Sequence, residues 1–140
     1  MLPVMVAAMD AGPRPRPARP ITVLVGQKLE YVRLGHAIVL GFAGGRQVVI
    51  ETVAHLAWPT GRIDVEPGEH PSDALATLLG DVVRTVRTDD GGGLRIAFAG
   101  GSELVVGADA EYESWAVTGP DGVLIVCLAG GELAVWGRRS

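Results

Sequence analysis

Cysteine is almost absent: Cys127 stands alone among 140 residues. No disulfide can form within the chain, so its stability has to come from a packed core, and such cysteine use suits a cytoplasmic setting. Lysine occurs once, as Lys28, which leaves no basic stripe for a phosphate backbone and sets nucleic acid aside as a ligand. No apolar run nears the roughly 18 residues of a membrane-crossing helix, and no membrane contact is expected. The apolar start from Met1 to Met9 has its basic residues behind it, the reverse of a secretory signal. Chemical motifs are missing as well. Neither G-x-S-x-G, a Walker loop nor G-x-G-x-x-G occurs, so a nucleophile elbow and a helix-borne phosphate site are not indicated. His36, His55 and His70 have no metal-ligand spacing among themselves or with Cys127. No metal and no cofactor are expected.

What the chain does have is turns and apolar residues. Twenty glycines and nine prolines stand against 5% aromatics, with 48% hydrophobic residues and a mean hydropathy of +0.30. A chain of this length and composition forms one domain with a real core, built of short elements joined by tight turns. Residues 1–20 hold prolines at every second or third position from Pro13 to Pro20, a pattern that favours extended backbone and reads as a flexible Pro/Arg-rich leader. That leader carries Arg14, Arg16 and Arg19 against Asp10, a net +2, so residues 21–140 carry −6 of the total −4. The body is acidic.

The body also repeats itself. Gly26-Gln27-Lys28-Leu29-Glu30-Tyr31-Val32-Arg33 overlies Gly80-Asp81-Val82-Val83-Arg84-Thr85-Val86-Arg87 at an offset of 54, and Phe42-Ala43-Gly44-Gly45 overlies Phe98-Ala99-Gly100-Gly101 at 56. The extra residues fall in the turn Asp89-Asp90-Gly91-Gly92-Gly93. Trp58 and Trp115 follow at 57, which suggests a shared structural role. The duplicated parts are about 24–58 and 78–115 within a single domain over 21–137, with 138–140 a tail. A partial third echo is Leu128-Ala129-Gly130-Gly131-Glu132-Leu133.

The Gly-Gly pairs between apolar runs predict two-residue hairpin turns of positive φ. Leu94, Ile96 and Phe98 alternate with Arg95 and Ala97, a strand period with one apolar face. Strands are predicted over 22–25, 28–34, 37–43, 46–53, 62–65, 82–88, 94–99, 102–106, 111–118, 123–129 and 132–136. One short helix near 72–79 is predicted, with Ser72 as N-cap and Gly80 closing it. The fold is thus expected to be mainly β, α+β at most. Two pseudo-repeated antiparallel meanders would form a sandwich or a partly closed barrel.

For chemistry, Glu103, Asp109, Glu111 and Glu113 cluster near Asp89 and Asp90, a set that could supply paired acid and base. Alternation along 111–118 puts Glu111 and Glu113 on an outer face, which describes a solvated or partner-binding surface better than catalytic carboxylates. Ser102 lies in a hairpin turn, not at a strand-to-helix elbow, and Cys127 sits in an apolar run as an inert buried thiol. Trp136 near the last strand is a candidate interface anchor, although core packing is the first expectation for both Trp115 and Trp136. The candidate binding surface is therefore Glu103, Asp109, Glu111, Glu113 and Trp136, with no catalytic and no metal residue assigned.

Tyr112-Glu113-Ser114-Trp115-Ala116-Val117-Thr118-Gly119, followed by Gly130-Gly131-Glu132-Leu133-Ala134-Val135-Trp136, resembles a family of small actinobacterial proteins of unknown function. Leu24-Val25-Gly26-Gln27-Lys28-Leu29 and Leu78-Leu79-Gly80 look like it too, so the resemblance covers about 21–137. It implies no catalytic residue. The reading of the residues is a non-catalytic, immunity-like protein-binding module whose acidic surface docks a basic protein partner. Its alternatives are a small carboxylate-dependent hydrolase using Glu111 or Glu113 with Asp89 or Asp90, or a small-ligand carrier. A homodimer through an exposed strand edge is compatible with either class.

Overall fold

A computed structural model describes residues 21–68, 73–120, 122 and 124–136. The expected leader and the tail at 138–140 lie outside the described residues. Alternating apolar and polar residues between glycine turns give short strands: β1 Leu29–Leu34, β2 Ile38–Phe42, β3 Gln47–Ile50, β4 Ala54–Trp58, β5 Gly61–Val65, β6 Val83–Thr88, β7 Leu94–Phe98, β8 Glu103–Val106, β9 Trp115–Thr118, β10 Leu124–Cys127 and β11 Leu133–Trp136. They form two open antiparallel sheets, ordered β1-β2-β3-β9-β10-β11 and β5-β4-β8-β7-β6. The arrangement is a sandwich of two pseudo-repeated meanders, β1-β2-β3 and β6-β7-β8, and not a closed barrel.

Each meander is completed by strands from the other half of the chain. After β3 the chain bends at residues 51–53 and crosses over, so that β4 pairs with β8 (Ala54↔Val106, Leu56↔Leu104). After β8 it crosses back, and β9 pairs with β3 (Ile50↔Trp115, Val48↔Val117). The segments before β1 and β6 bond reciprocally. Gly26 N donates to Val83 O and Gly80 N to Leu29 O, both at 2.8 Å, while Val83 N donates to Gln27 O and Leu29 N to Asp81 O. Lys28 and Val82, one repeat apart in sequence, form a bridge with each other. Such reciprocity is what a local two-fold axis through this point requires.

The core lies between the sheets. Phe42, Phe98 and Trp115 are its largest side chains, joined by Leu29, Ile38, Leu40, Ile50, Leu56, Leu94, Ile96 and Leu104, all essentially inaccessible. Leu24 and Leu78, equivalent at an offset of 54, close it beside the two-fold. The outer face of the six-stranded sheet carries small aliphatics, Val39, Val49, Ala116, Val126 and Ala134 in one cross-strand row. On the same face the Tyr31 ring lies over Gly41, where Gln47 Nε2 donates to its hydroxyl.

Several local expectations change. The helix near 72–79 is a single four-residue 3-10 turn, Leu75–Leu78, with Ala74 at the N-cap position and no side-chain cap; Ser72 lies outside the described residues. Residues 22–25, expected as a strand, hold the matching 3-10 turn Thr22–Leu24, because both segments turn into the two-fold bonding instead of joining a ladder. β4 emerges from an apolar stretch without Gly or Pro, where only the bend at 51–53 separates it from β3. The strand over 111–118 shortens to Trp115–Thr118, since the main chain of Glu111 and Tyr112 is engaged by Asp109 Oδ1. The Gly-Gly links are three-residue loops. Phe42 N, Phe98 N and Leu128 N donate to Arg46 O, Ser102 O and Glu132 O across Ala-Gly-Gly, and Gly45, Gly101 and Gly131 end each loop with φ of +82°, +101° and +100°.

Trp58 and Trp115 do not occupy corresponding places. Register makes Ala54 the counterpart of Trp115, since each opposes the last residue of the strand it joins. The correspondence runs instead at an offset of 61, where Pro59 lies against Gly101 and Pro120 against Gly45. Trp115 is buried and donates Nε1–H to Gly92 O at 2.9 Å, and Cys127 Sγ also reaches that carbonyl, at 3.3 Å. The glycine-rich β6–β7 turn, which has no counterpart of equal length between β1 and β2, is thereby tied to β9 and β10.

Gly92 has φ of +91°, and a Cβ there would come within 2.3 Å of Gly131 O, a main-chain atom that cannot rotate away. Gly26 has φ of +84° with nothing within 4 Å. Gly26→Ala should therefore cost only the left-handed penalty, about 1–2 kcal/mol, while Gly92→Ala should cost clearly more, about 3 kcal/mol or above. Chemical denaturation of the two variants side by side checks this. In the same assay Trp115→Phe should lose about 1–3 kcal/mol by removing a buried donor from the Gly92 carbonyl.

Candidate functional site

Three loops meet at one end of the sandwich. The β6–β7 turn, residues 89–93, touches the β10–β11 turn, where a Cβ on Gly131 would meet Gly91 O, and the 107–114 connection joins them through Gly130 N donating to Asp109 O at 2.8 Å. Glu51 N donates to Ser114 O at 2.8 Å, which brings the end of β3 into the same region. Asp89, Asp90, Asp109, Glu111, Glu113, Glu132 and Glu51 are thus gathered from four parts of the sequence, and all but the half-buried Asp109 are exposed.

Part of this carboxylate set is structural. Asp89 Oδ1 accepts from Gly91 N and Gly93 N, both at 2.9 Å, and a Cβ on Gly93 would strike its carboxylate. Asp109 Oδ1 accepts from Glu111 N at 2.8 Å and Tyr112 N at 3.1 Å. These side chains replace main-chain bonds that the turns cannot make, as short acidic residues commonly do. Asp90, Glu111, Glu113, Glu51 and Glu132 are left to project charge. Beneath them Ser114 is fully buried, and its Oγ has no hydrogen-bond partner.

The remaining candidate residues lie elsewhere. Glu103 is on the outer face of the five-stranded sheet, 3.0 Å from Arg95. Trp136, about half exposed, stands opposite Leu124 on the outer face of the other sheet. The structure therefore brings Asp109, Glu111 and Glu113 together with Asp89 and Asp90, and separates Glu103 and Trp136 from them onto opposite faces.

The face that holds Glu103 also holds a polar hollow of about 500 Å³, lined by His55, Ala57, Arg62, Asp64, Arg95, Glu103 and Val105. Register explains its make-up. Arg95, Val105, His55 and Asp64 form one cross-strand row, and Ala97, Glu103, Ala57 and Arg62 the next, so small side chains make the floor and charged ones the walls. His55 Nδ1 lies 2.7 Å from Asp64 Oδ1. Sequence inspection does not find this pair, because it depends on the β4–β5 register alone. Both this contact and the Arg95–Glu103 ion pair are open to water, where such contacts contribute little, and no hydroxyl or thiol nucleophile lines the hollow.

A second hollow, of about 310 Å³, lies between Trp58, Pro59, Ala74, Thr77, Asp81, Gly100 and Ser102. Asp81 Oδ1 accepts from Val82 N and Gly100 N. Asp81 thus ties β6 to the β7–β8 turn, and the hollow holds no histidine that could activate Ser102. Neither hollow is lined by Asp89, Asp90, Glu111 or Glu113. Among the described residues no group of His, Cys, Asp and Glu is placed to hold a metal ion, and no helix is long and apolar enough to cross a membrane.

A double-mutant cycle on Arg95→Ala and Glu103→Ala should return a coupling of no more than about 1 kcal/mol, since both partners are substantially exposed. A larger coupling in thermal unfolding would mark the hollow as a rigid, organised site.

Comparison with curated proteins and with solved structures gave no match. The family comparison did: the model of a family of unknown function, DUF6188, matches residues 20–137, which takes in both sheets and every loop of the acidic end, and the chain belongs to that family.

Proposed function

We propose that this domain is a non-catalytic protein-binding module that meets a basic partner through the acidic end of the sandwich. The observation that carries the reading is the convergence of Asp90, Glu111, Glu113, Glu51 and Glu132 from separate loops onto one exposed end. These carboxylates are exposed and of one sign, and nothing in the packing of the core requires them there. A basic partner is drawn in by their combined field, which raises the rate of encounter before any contact is made. The His55–Asp64 hydrogen bond and the Arg95–Glu103 ion pair lie on the five-stranded sheet, away from this end.

The loops are also well held for such a role. Asp89 and Asp109 fix their own turns, and the Gly92 carbonyl is gripped by Trp115 and Cys127. Little ordering remains to be done on binding, and preorganised surfaces bind more tightly for the same contacts. A hydrolase built on Glu111 or Glu113 with Asp89 or Asp90 would need a cleft that joins them, and neither hollow described above is lined by any of the four.

The test joins identification to kinetics. The tagged full chain is recovered from its native cell with any stoichiometric partner, and the association rate of the purified pair is followed against ionic strength. The rate should fall by about tenfold or more from low to high salt. Glu111→Lys combined with Glu113→Lys should lower it by a similar factor without shifting the thermal midpoint. A rate indifferent to both would overturn this reading, as would a footprint confined to the hollow around His55 and Arg95.

A further inference from the structure

The correspondence between the two halves leaves one place without a strand. β1 to β5 match β6 to β10 in order, and the six-stranded sheet then adds β11 beside β10. Beside β5, the equivalent of β10, the five-stranded sheet ends. The cause is in the residues that follow β5. Pro67 has no N–H to contribute to a ladder, and Gly68 N donates to Gly35 O at 2.7 Å, which carries the chain toward the β1–β2 turn and away from the β5 edge.

Hydrogen-bond alternation decides which groups face that edge. Pro59 and Thr60 are a two-residue link between β4 and β5, so Trp58 and Gly61 are the closing bonded pair. Ile63 and Val65 then direct their main chain to β4, and Arg62 and Asp64 direct theirs outward. Counting from the opposite side of the sheet gives the same answer: Phe98 N donates to Ser102 O, and alternation carried across β8 and β4 again leaves Arg62 and Asp64 facing out.

Among the described residues nothing covers this edge. β1 and β6 carry register shifts and cover each other at their first residues, both of which blunt an edge. β5 is in unbroken register with β4 from Gly61 to Val65. Ile63, on the core side opposite Leu56, is 38% exposed.

We propose that β5 is a homodimerisation edge, on which a second copy of this chain lays its own β5 antiparallel about a two-fold axis through Ile63. In that register Arg62 stands opposite the partner's Asp64, and Asp64 opposite the partner's Arg62, on the outer face. The outward main-chain groups of both copies meet, and the two Ile63 side chains cover each other on the core side. Sliding one copy by two residues keeps the hydrogen bonding but opposes arginine to arginine or aspartate to aspartate, which is unfavourable. The charge pattern of this strand is therefore self-complementary in one register only, as an isologous contact demands. The dimer joins two five-stranded sheets into one continuous sheet and leaves the acidic end of each copy free.

Sedimentation of the full chain over a wide concentration range tests this. A reversible monomer–dimer equilibrium is expected, and Arg62→Asp or Asp64→Arg alone should each weaken it by about tenfold or more. An equimolar mixture of the two charge-reversed proteins should recover association, because every cross-strand pair is then opposite in charge. Both substitutions are at exposed positions, and an unchanged thermal midpoint for each separate protein excludes misfolding as the cause of a loss. A chain that stays monomeric up to about 1 mM overturns the proposal. So does a dimer that survives both single reversals, or a mixture that fails to recover.

Discussion

Neither meander can close a core by itself, because β4 and β9 each leave the half of the chain that made them and complete the sheet of the other half. This exchange is the constraint on which the rest of the architecture depends. It joins residues far apart in sequence, Gln47 with Thr118 and Ala57 with Glu103, so the sheets cannot form piecemeal, and topology of this kind slows folding. The reciprocal bonds between residues 26–29 and 80–83 secure the same crossing at the two-fold.

Symmetry that starts at the two-fold is broken at the far end. The longer turn of the second half reaches the other sheet, where Trp115 and Cys127 hold Gly92 O, and glycine is required because the turn meets the β10–β11 loop backbone to backbone. The connection of 107–114 is likewise longer than the bend at 51–53. Both additions fall at one end and both are acidic, and β11 is added on the same side. The second half of the chain thus carries most of the projecting charge, on a frame that the two halves share.

Much of the fold was legible in the residues. Alternation at Leu94, Ile96 and Phe98, the repeated Phe-Ala-Gly-Gly and the buried character of Cys127 all describe what is found. The strand limits were less so. β4 was invisible because a sharp bend needs no glycine or proline when the chain can cross between sheets there, and the helix near 72–79 shrank to one turn because Leu75 and Leu78 need only a single turn to reach the core. The spacing of the two tryptophans does not reflect equivalence, which is decided by register: Trp115 pairs with Ile50, whereas Trp58 stands at the end of β4. In the candidate site, Asp109, Glu111 and Glu113 share one loop, as their closeness in sequence requires, whereas Glu103, also near in sequence, is carried by β8 to another face.

Composition, period and motif are local properties, and they are enough to mark a β-rich, internally doubled chain with an acidic body and no metal-ligand spacing among its histidines and its cysteine. Which strands are neighbours, which carboxylates share an end, that His55 meets Asp64 and that β5 stands at an edge of its sheet are settled in the folded chain alone. Those depend on register and on strand exchange between halves. Register is set by the whole core at once, where a shift of one residue would turn every buried side chain outward, and no short stretch of sequence holds that information.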